Sequence, residues 1–362
     1  MLAAAALATT LCNVTGMSLC IGFSFALSTL AGQAKGEMFS RPKKQNNSND
    51  TAPIQAIVLP VGIWWIYGIE NFLIALGQTS VLAVASSNYL QILAPSLWLY
   101  AIQWTVTAWT QSIGLASIPA QASLLGLICH IPFNYLFVYL LGFGYLGCAY
   151  ATICFQAIQL CYISIYLFIS QQGKQKVLIA TGGQHIEYLN LAIPGIIVIS
   201  EWWASETAIF LSGTIQPYPQ TTLAAMTIYQ SINSFCFMIP AGFATAGCAR
   251  VSNLLGGGYY REAKLAGQIN VTCCGIASTC IGLLLFLLPH TLLPSLFVSS
   301  KDNQAIINQT ASTIPYLSIY VLADGIQTGC NGIIKGCGRQ KIVVPIVVFA
   351  YWIVGVPLAY YL

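Results

Sequence analysis

Residues 190–213 read NLAIPGIIVISEWWASETAIFLSG, an apolar run with two carboxylic acids inside it, Glu201 and Glu206. Twenty-four residues rise about 36 Å as a helix, enough to cross the roughly 30 Å hydrocarbon core of a bilayer. Glu201 lies about 11 residues into the run, near the middle of such a span. A charge there costs roughly 2.5–3.5 kcal/mol on insertion scales. This stretch therefore predicts a transmembrane helix that carries acids for a reason.

The rest of the chain fits that reading. Charged residues are 6% of 362, hydrophobic residues 57%, and the mean hydropathy is +0.74. A soluble surface needs about a quarter of its residues charged. This composition excludes a soluble enzyme, a disordered chain and a nucleic-acid binder. The net charge of +4 is spread over short connections, not gathered on one face. The alternation of a β-barrel is absent. Ten apolar runs read as spans, at about 5–31, 55–76, 89–112, 119–141, 146–170, 190–213, 222–248, 267–289, 313–334 and 343–362. Together they predict an all-α polytopic membrane protein. Pro95, Pro132, Pro194, Pro240 and Pro357 interrupt spans, which membrane helices tolerate.

Basic residues give the direction. Lys35, Arg41, Lys43 and Lys44 lie in the 32–54 connection, and Lys174 and Lys176 in 171–189. Arg250, Arg261 and Lys264 follow the seventh run. Lys335, Arg339 and Lys341 flank the ninth. These are every second connection, and only Lys301 lies opposite. The basic side is cytoplasmic by the positive-inside rule. Residue 1 then sits outside with no charged leader, which predicts an earlier span that is missing.

A repeat at an offset of 220 residues agrees. Leu76 matches Leu296; Pro95, Leu97 and Tyr100 match Pro315, Leu317 and Tyr320. Gly22, Phe23 and Gly36 match Gly242, Phe243 and Gly256. Runs 1, 2 and 3 align with 7, 8 and 9, so the unit is six spans in the same orientation. Two lobes follow, 1–182 and 183–362, each of five spans, with 171–189 as the hinge. The first and last spans of a six-plus-six parent are expected to be missing.

Of the nine acids, Glu37, Asp50, Glu187, Glu262 and Asp302 fall in connections, and Glu70 lies near the outer end of its run. Glu201, Glu206 and Asp324 remain, and Asp324 is about 11 residues into its own run. No basic residue lies mid-span to pair with them. A water-filled cavity or an acquired proton must hold them. One use of such a carboxyl is to exchange a proton for a cation; the alternative is a protonated acid bonded to a backbone carbonyl for packing. Glu201 and Glu206 are about 140° apart on a helix, whereas Trp202 and Glu206 share a face. An aromatic beside a carboxylate suits an organic cation, and ordinary packing suits it equally. Gln230, Asn233 and Ser234 in the next run, with Gln327 and Thr328 one turn from Asp324, either line the same cavity or hold helices together.

Thirteen cysteines without CxxC spacing read as small core residues, with no disulfide framework or metal site. His130, His185 and His290 read as packing or interfacial residues. There is no GxxxxGK[ST] loop, and nothing points to ATP hydrolysis, enzymatic activity or a cofactor. Sequons at Asn46 and Asn49 fall on the cytoplasmic side, and Asn308 lies close to a span.

Several stretches resemble the eukaryotic multidrug and toxic compound extrusion (MATE) transporters. They are Leu191-Ala-Ile-Pro194 with Glu201-Trp-Trp-Ala-Ser-Glu206, and Ile239-Pro-Ala-Gly-Phe243 with Arg250-Val-Ser-Asn253. Lys335-Gly-Cys-Gly-Arg-Gln-Lys341 belongs with them, as do Leu2-Ala-Ala-Ala-Ala-Leu and Gly142-Phe-Gly-Tyr-Leu-Gly147 in the first half. The resemblance implies two six-helix lobes around a central cavity. It implies a secondary antiporter that exports organic cations, drugs or metabolites for protons or sodium by rocking between two open states. Glu201, Glu206 and Asp324 match family positions implicated in coupling and cation binding. Gln230 stands where several animal members carry a glutamate, so one contact is altered. The aspartate of many prokaryotic members lies on the family's first helix, the span expected to be missing here. The partners expected are a small organic cation, the coupling ion and the lipid bilayer, with no nucleic acid, for a monomer in the plasma membrane or a vacuole-like organelle. The competing readings are a lipid-linked precursor flippase, which needs a basic cavity, and a truncated non-transporting membrane protein.

Overall fold

The structure is a computed structural model that describes residues 2–40, 52–75, 77–169, 185–212, 217–298 and 304–361. Arg41, Lys43, Lys44, Asn46, Asn49, Asp50, Lys174, Lys176, Lys301 and Asp302 lie outside the described residues. Among the described residues all regular structure is helical. The helices are α1 (Leu2–Cys12), α2 (Ser18–Ser40), α3 (Ala52–Tyr67), α4 (Ile69–Ala75), α5 (Ser80–Ser112), α6 (Ser117–Tyr135) and α7 (Tyr145–Ile169). They continue as α8 (His185–Ser212), α9 (Pro219–Gly256), α10 (Tyr260–Leu287), α11 (Leu292–Phe297), α12 (Gln304–Gly336), α13 (Val344–Val347) and α14 (Val356–Tyr361). Wider π-turns at Asn13–Met17, Leu136–Leu140 and Val348–Gly355 carry the chain from α1 into α2, beyond α6, and from α13 into α14.

The described part of each of the ten apolar runs falls mainly on a helix or on consecutive helices. Among the described residues six helical stretches are both long and apolar enough to span a membrane, or seven if a bent pair counts as one. That pair corrects the reading of 55–76 as one straight span: Val58–Tyr67 and Ile69–Ala75 meet at 69°. Gly68 occupies the corner, where a Cβ would lie 2.4 Å from the Trp64 ring. The long helices α5, α8 and α12 fall outside the six, and two of these carry Glu201, Glu206 and Asp324. A less apolar helix of spanning length belongs where protein or water, not lipid, meets its polar side.

Helix ends run further than the apolar runs. Lys35 and Glu37 lie within α2, Arg250 within α9, and Glu262 and Lys264 within α10. These charges occupy terminal turns, not loops, because a helix that outruns the hydrocarbon can keep its charged end turns in the interface. Lys35 Nζ lies 3.0 Å from the position a Cβ would take at Gly114, just past α5, where φ is +81°.

The chain divides into two units, Met1–Ile199 and Ser200–Leu362, with the division inside α8. In the first unit, α5 is the central helix. Trp65, Leu90 and Leu97 are fully buried around it. Trp65 Nε1 donates to Thr15 Oγ1 at 2.9 Å, so the largest core side chain leaves no polar atom unsatisfied. The early turns of α8 dock here too, where Tyr188 donates its hydroxyl to the Phe23 carbonyl at 3.0 Å.

In the second unit, α9, α10 and α12 form the packed trio around Ile232, Ile314 and Leu317. Small residues set the spacing, as is usual between membrane helices. A Cβ at Gly332 would stand 2.5 Å from the Ala244 carbonyl oxygen of α9. Asn270 of α10 donates to the Gly329 carbonyl at 3.0 Å and ties the trio together. The repeat is visible inside each unit: Pro95 interrupts α5 and Pro315 interrupts α12, and Leu97 and Leu317 are both wholly buried in their own cores. All thirteen cysteines are free.

Candidate functional site

The site forms in the second unit, where three segments bring polar side chains together within apolar surroundings. Glu201 comes from α8, one residue past Ser200, whose Oγ accepts a 3.0 Å hydrogen bond from Trp352 Nε1. That bond ties this turn of α8 to the π-helical segment Val348–Gly355. Glu201 Oε2 accepts a 2.7 Å hydrogen bond from Gln327 Nε2 of α12. The Gln327 amide also meets the Tyr351 hydroxyl, which lies 3.1 Å from Nε2 and donates to Oε1 at 3.2 Å. Tyr320 is a hydrogen-bond partner of Tyr351. The carboxylate thus ends a chain of neutral dipoles, Tyr320–Tyr351–Gln327–Glu201, each able to polarise the next.

Asp324 lies three residues before Gln327 on α12, on the same side of the helix, and is half-buried. It interacts electrostatically with Glu201, Tyr320 and Tyr229, the last from α9. Two acids from different helices therefore act on each other.

No basic residue lies mid-span beside Glu201 among the described residues, but one at a helix end acts on it. Lys335 and Glu201 interact electrostatically. Helix α12 continues to Gly336, so Lys335 belongs to its last turn, not to a connection. Side chains on a helix lean toward its N-terminus, and a lysine stem spans more than a turn. The lysine also interacts electrostatically with Cys248 of α9. Its sequence position, at the edge of an apolar run, concealed this.

The other predicted residues are not joined to this network among the described residues. Glu206 is half-buried and has no hydrogen bond or ion pair. Trp202 is 42% exposed and meets Phe237 of α9 edge to face, with centroids 6.0 Å apart. Gln230 is half-buried without a hydrogen bond, and the Asn233 Oδ1 is buried without a partner. Thr328, next to Gln327 on α12, is buried. Sequence reasoning missed Tyr229, Tyr320 and Tyr351, because a tyrosine in an apolar run is as often packing as polar function.

The family's sequence profile, MatE, matches residues 1–136 and 195–361. Protein DETOXIFICATION 12 of Arabidopsis thaliana is 30% identical over 366 residues, covering 99% of this chain and 74% of its own length. Protein DETOXIFICATION 3 of the same plant is also 30% identical, over 365 residues, covering all of this chain and 75% of its own. Among solved structures, the eukaryotic MATE transporter AtDTX14 superposes with a TM-score of 0.87 at 25% identity, over 98% of this chain and 79% of its own. A MATE transporter in complex with MaL6 shares the fold at a TM-score of 0.84 and 16% identity, over 99% of this chain and 80% of its own. An all-α polytopic fold and a matching profile over most of the chain converge: this multi-pass integral membrane chain belongs to the MatE family of multidrug and toxic compound extrusion transporters.

Proposed function

We propose that this chain exports an organic cation in exchange for protons, or for sodium, as a secondary antiporter, with Glu201 and Asp324 as the exchanging groups. The observation that carries the reading is a charge count. Glu201 interacts with both Asp324 and Lys335, so with all three ionised these groups together bear one uncompensated negative charge. One proton or one monovalent cation neutralises it, and the two compete because neither leaves room for the other's charge. Competition for one site that opens alternately to the two sides of a membrane is antiport.

In this reading Gln327 and Tyr351 hold the Glu201 carboxylate toward its partners. Lys335 keeps the cluster at one net negative charge, not two. Trp202 offers an exposed aromatic face to the apolar part of a cation, and Glu206 and Gln230 supply further polar contacts. The lobes of the exchange cycle are 1–182 and 183–362, and the working unit is a monomer in a plasma or vacuole-like membrane.

The test is efflux of a fluorescent organic cation from proteoliposomes under an imposed pH gradient, and separately under a sodium gradient. Efflux should follow one gradient and be lost in Glu201→Gln combined with Asp324→Asn. Undiminished gradient-driven efflux in that double variant refutes the proposal.

A further inference from the structure

A groove of about 800 Å³ opens on the second unit, at the end where α9 finishes, α10 begins and α12 finishes. None of its lining residues is Glu201, Asp324, Gln327, Tyr351 or Lys335. Its floor is apolar, from Val251 and Leu255 of α9, Val271 of α10 and Ile333 of α12. Gly267 keeps it deep, since a side chain there would meet Ile333 at 3.3 Å. Polar groups collect at the rim: Lys264 and Gln268 line it, and Tyr260 stands at its mouth, 70% exposed.

Charge completes the picture. Arg261 is one turn before Lys264 on α10, and Arg339 is two residues past the lining residue Cys337. Both arginines and Lys264 are exposed and make no ion pair among the described residues. Glu262 is the acid in the same turn, so the rim keeps a net positive charge. The neighbouring face of α10 exposes Leu265, Ile269 and Ile276, a surface that only hydrocarbon covers favourably. This end of the trio lies on the side that carries the basic connections, which is the cytoplasmic leaflet.

We infer that this groove is a binding site for one anionic phospholipid of the cytoplasmic leaflet, its acyl chain along Val251, Leu255 and Val271 and its phosphate at Lys264 and Arg261. A purely apolar partner would leave the three cations unused, and a free anion would leave the apolar floor wet. An amphipath with one negative head satisfies both. A volume of this size suits one ligand, and basic pockets between helices at this depth are where anionic headgroups are held. The inference does not depend on the coupling mechanism, because none of these residues belongs to the Glu201 network.

The full-length chain is reconstituted into vesicles of equal phosphatidylglycerol and phosphatidylcholine, extracted in mild detergent, and weighed intact by native mass spectrometry. One phosphatidylglycerol should remain bound in preference to phosphatidylcholine. Lys264→Glu with Arg261→Glu should cost about fivefold in that preference for each cation removed. Val271→Trp should displace both lipids by filling the floor. Should the charge reversals prevent folding, Lys264→Gln alone, with about a fivefold expected loss, replaces them. Equal retention of the two lipids, an unchanged preference in the charge variants, or a second copy of the chain covering the groove overturns the inference.

Discussion

Gln327 Nε2 lies 2.7 Å from Glu201 Oε2, closing a contact between residues 126 positions apart in the chain. A hydrogen bond to a charged oxygen is worth about 1.5–3 kcal/mol, more than a neutral one. The contact fixes the direction of the carboxylate while Tyr351 fixes the direction of the amide.

Gln327→Leu keeps the volume and removes the donor. Efflux of a cationic dye should fall by roughly ten- to a hundredfold, in line with the lost charge-assisted bond. Wild-type rates in this variant, measured in proteoliposomes at matched protein content, would show that the amide does nothing for transport.

Tyr351→Phe removes one hydroxyl from the far side of the same amide. A neutral hydrogen bond contributes about 0.5–1.5 kcal/mol, so the loss should be about two- to tenfold and smaller than that of Gln327→Leu. Measuring both variants and their combination gives a double-mutant cycle. Strict additivity in that cycle would mean that the two side chains do not act through each other.

Lys335→Met removes the positive charge that acts on Glu201 among the described residues and keeps most of the length of the stem. Glu201 then keeps the influence of Asp324 and loses that of the lysine. Proton uptake should persist to higher pH than in the wild type. The readout is the pH at which gradient-driven efflux is half-maximal, which should move upward; no movement would remove Lys335 from the cluster's charge count.

Asn270→Leu breaks the bond from α10 to the Gly329 carbonyl. Interhelical polar contacts in membranes are worth about 0.6 kcal/mol on average and up to about 1.7. The melting temperature in detergent should drop by a few degrees. Gly332→Leu should do far more, because its Cβ would press the Ala244 carbonyl at 2.5 Å and force α9 and α12 apart. A folded, fully stable Gly332→Leu protein would contradict the packing of the trio.

Much of this was legible because burial in lipid makes some residues conspicuous. Glu201 and Asp324 stood out because an acid deep in an apolar run is costly, and the structure places them in one neighbourhood. Pro95 and Pro315 stood out through their common offset, and both interrupt 33-residue helices. The bend at Gly68 was not legible, since 55–76 is apolar throughout and hydropathy carries no information on direction. Lys335 was hidden because an apolar run ends before its helix does. Tyr351 was hidden because its hydroxyl becomes polar function only when another segment supplies Gln327.

None of the thirteen cysteines is joined to another, and five of them, Cys12, Cys20, Cys236, Cys248 and Cys274, are sealed in the interior. The fold therefore depends on no covalent staple. A thiol reductant should leave its melting point where it was, and the same architecture is equally at home beside a reducing or an oxidising compartment. The outward-facing thiols of Cys161, Cys280 and Cys330 remain as ready-made attachment points for a reporter group.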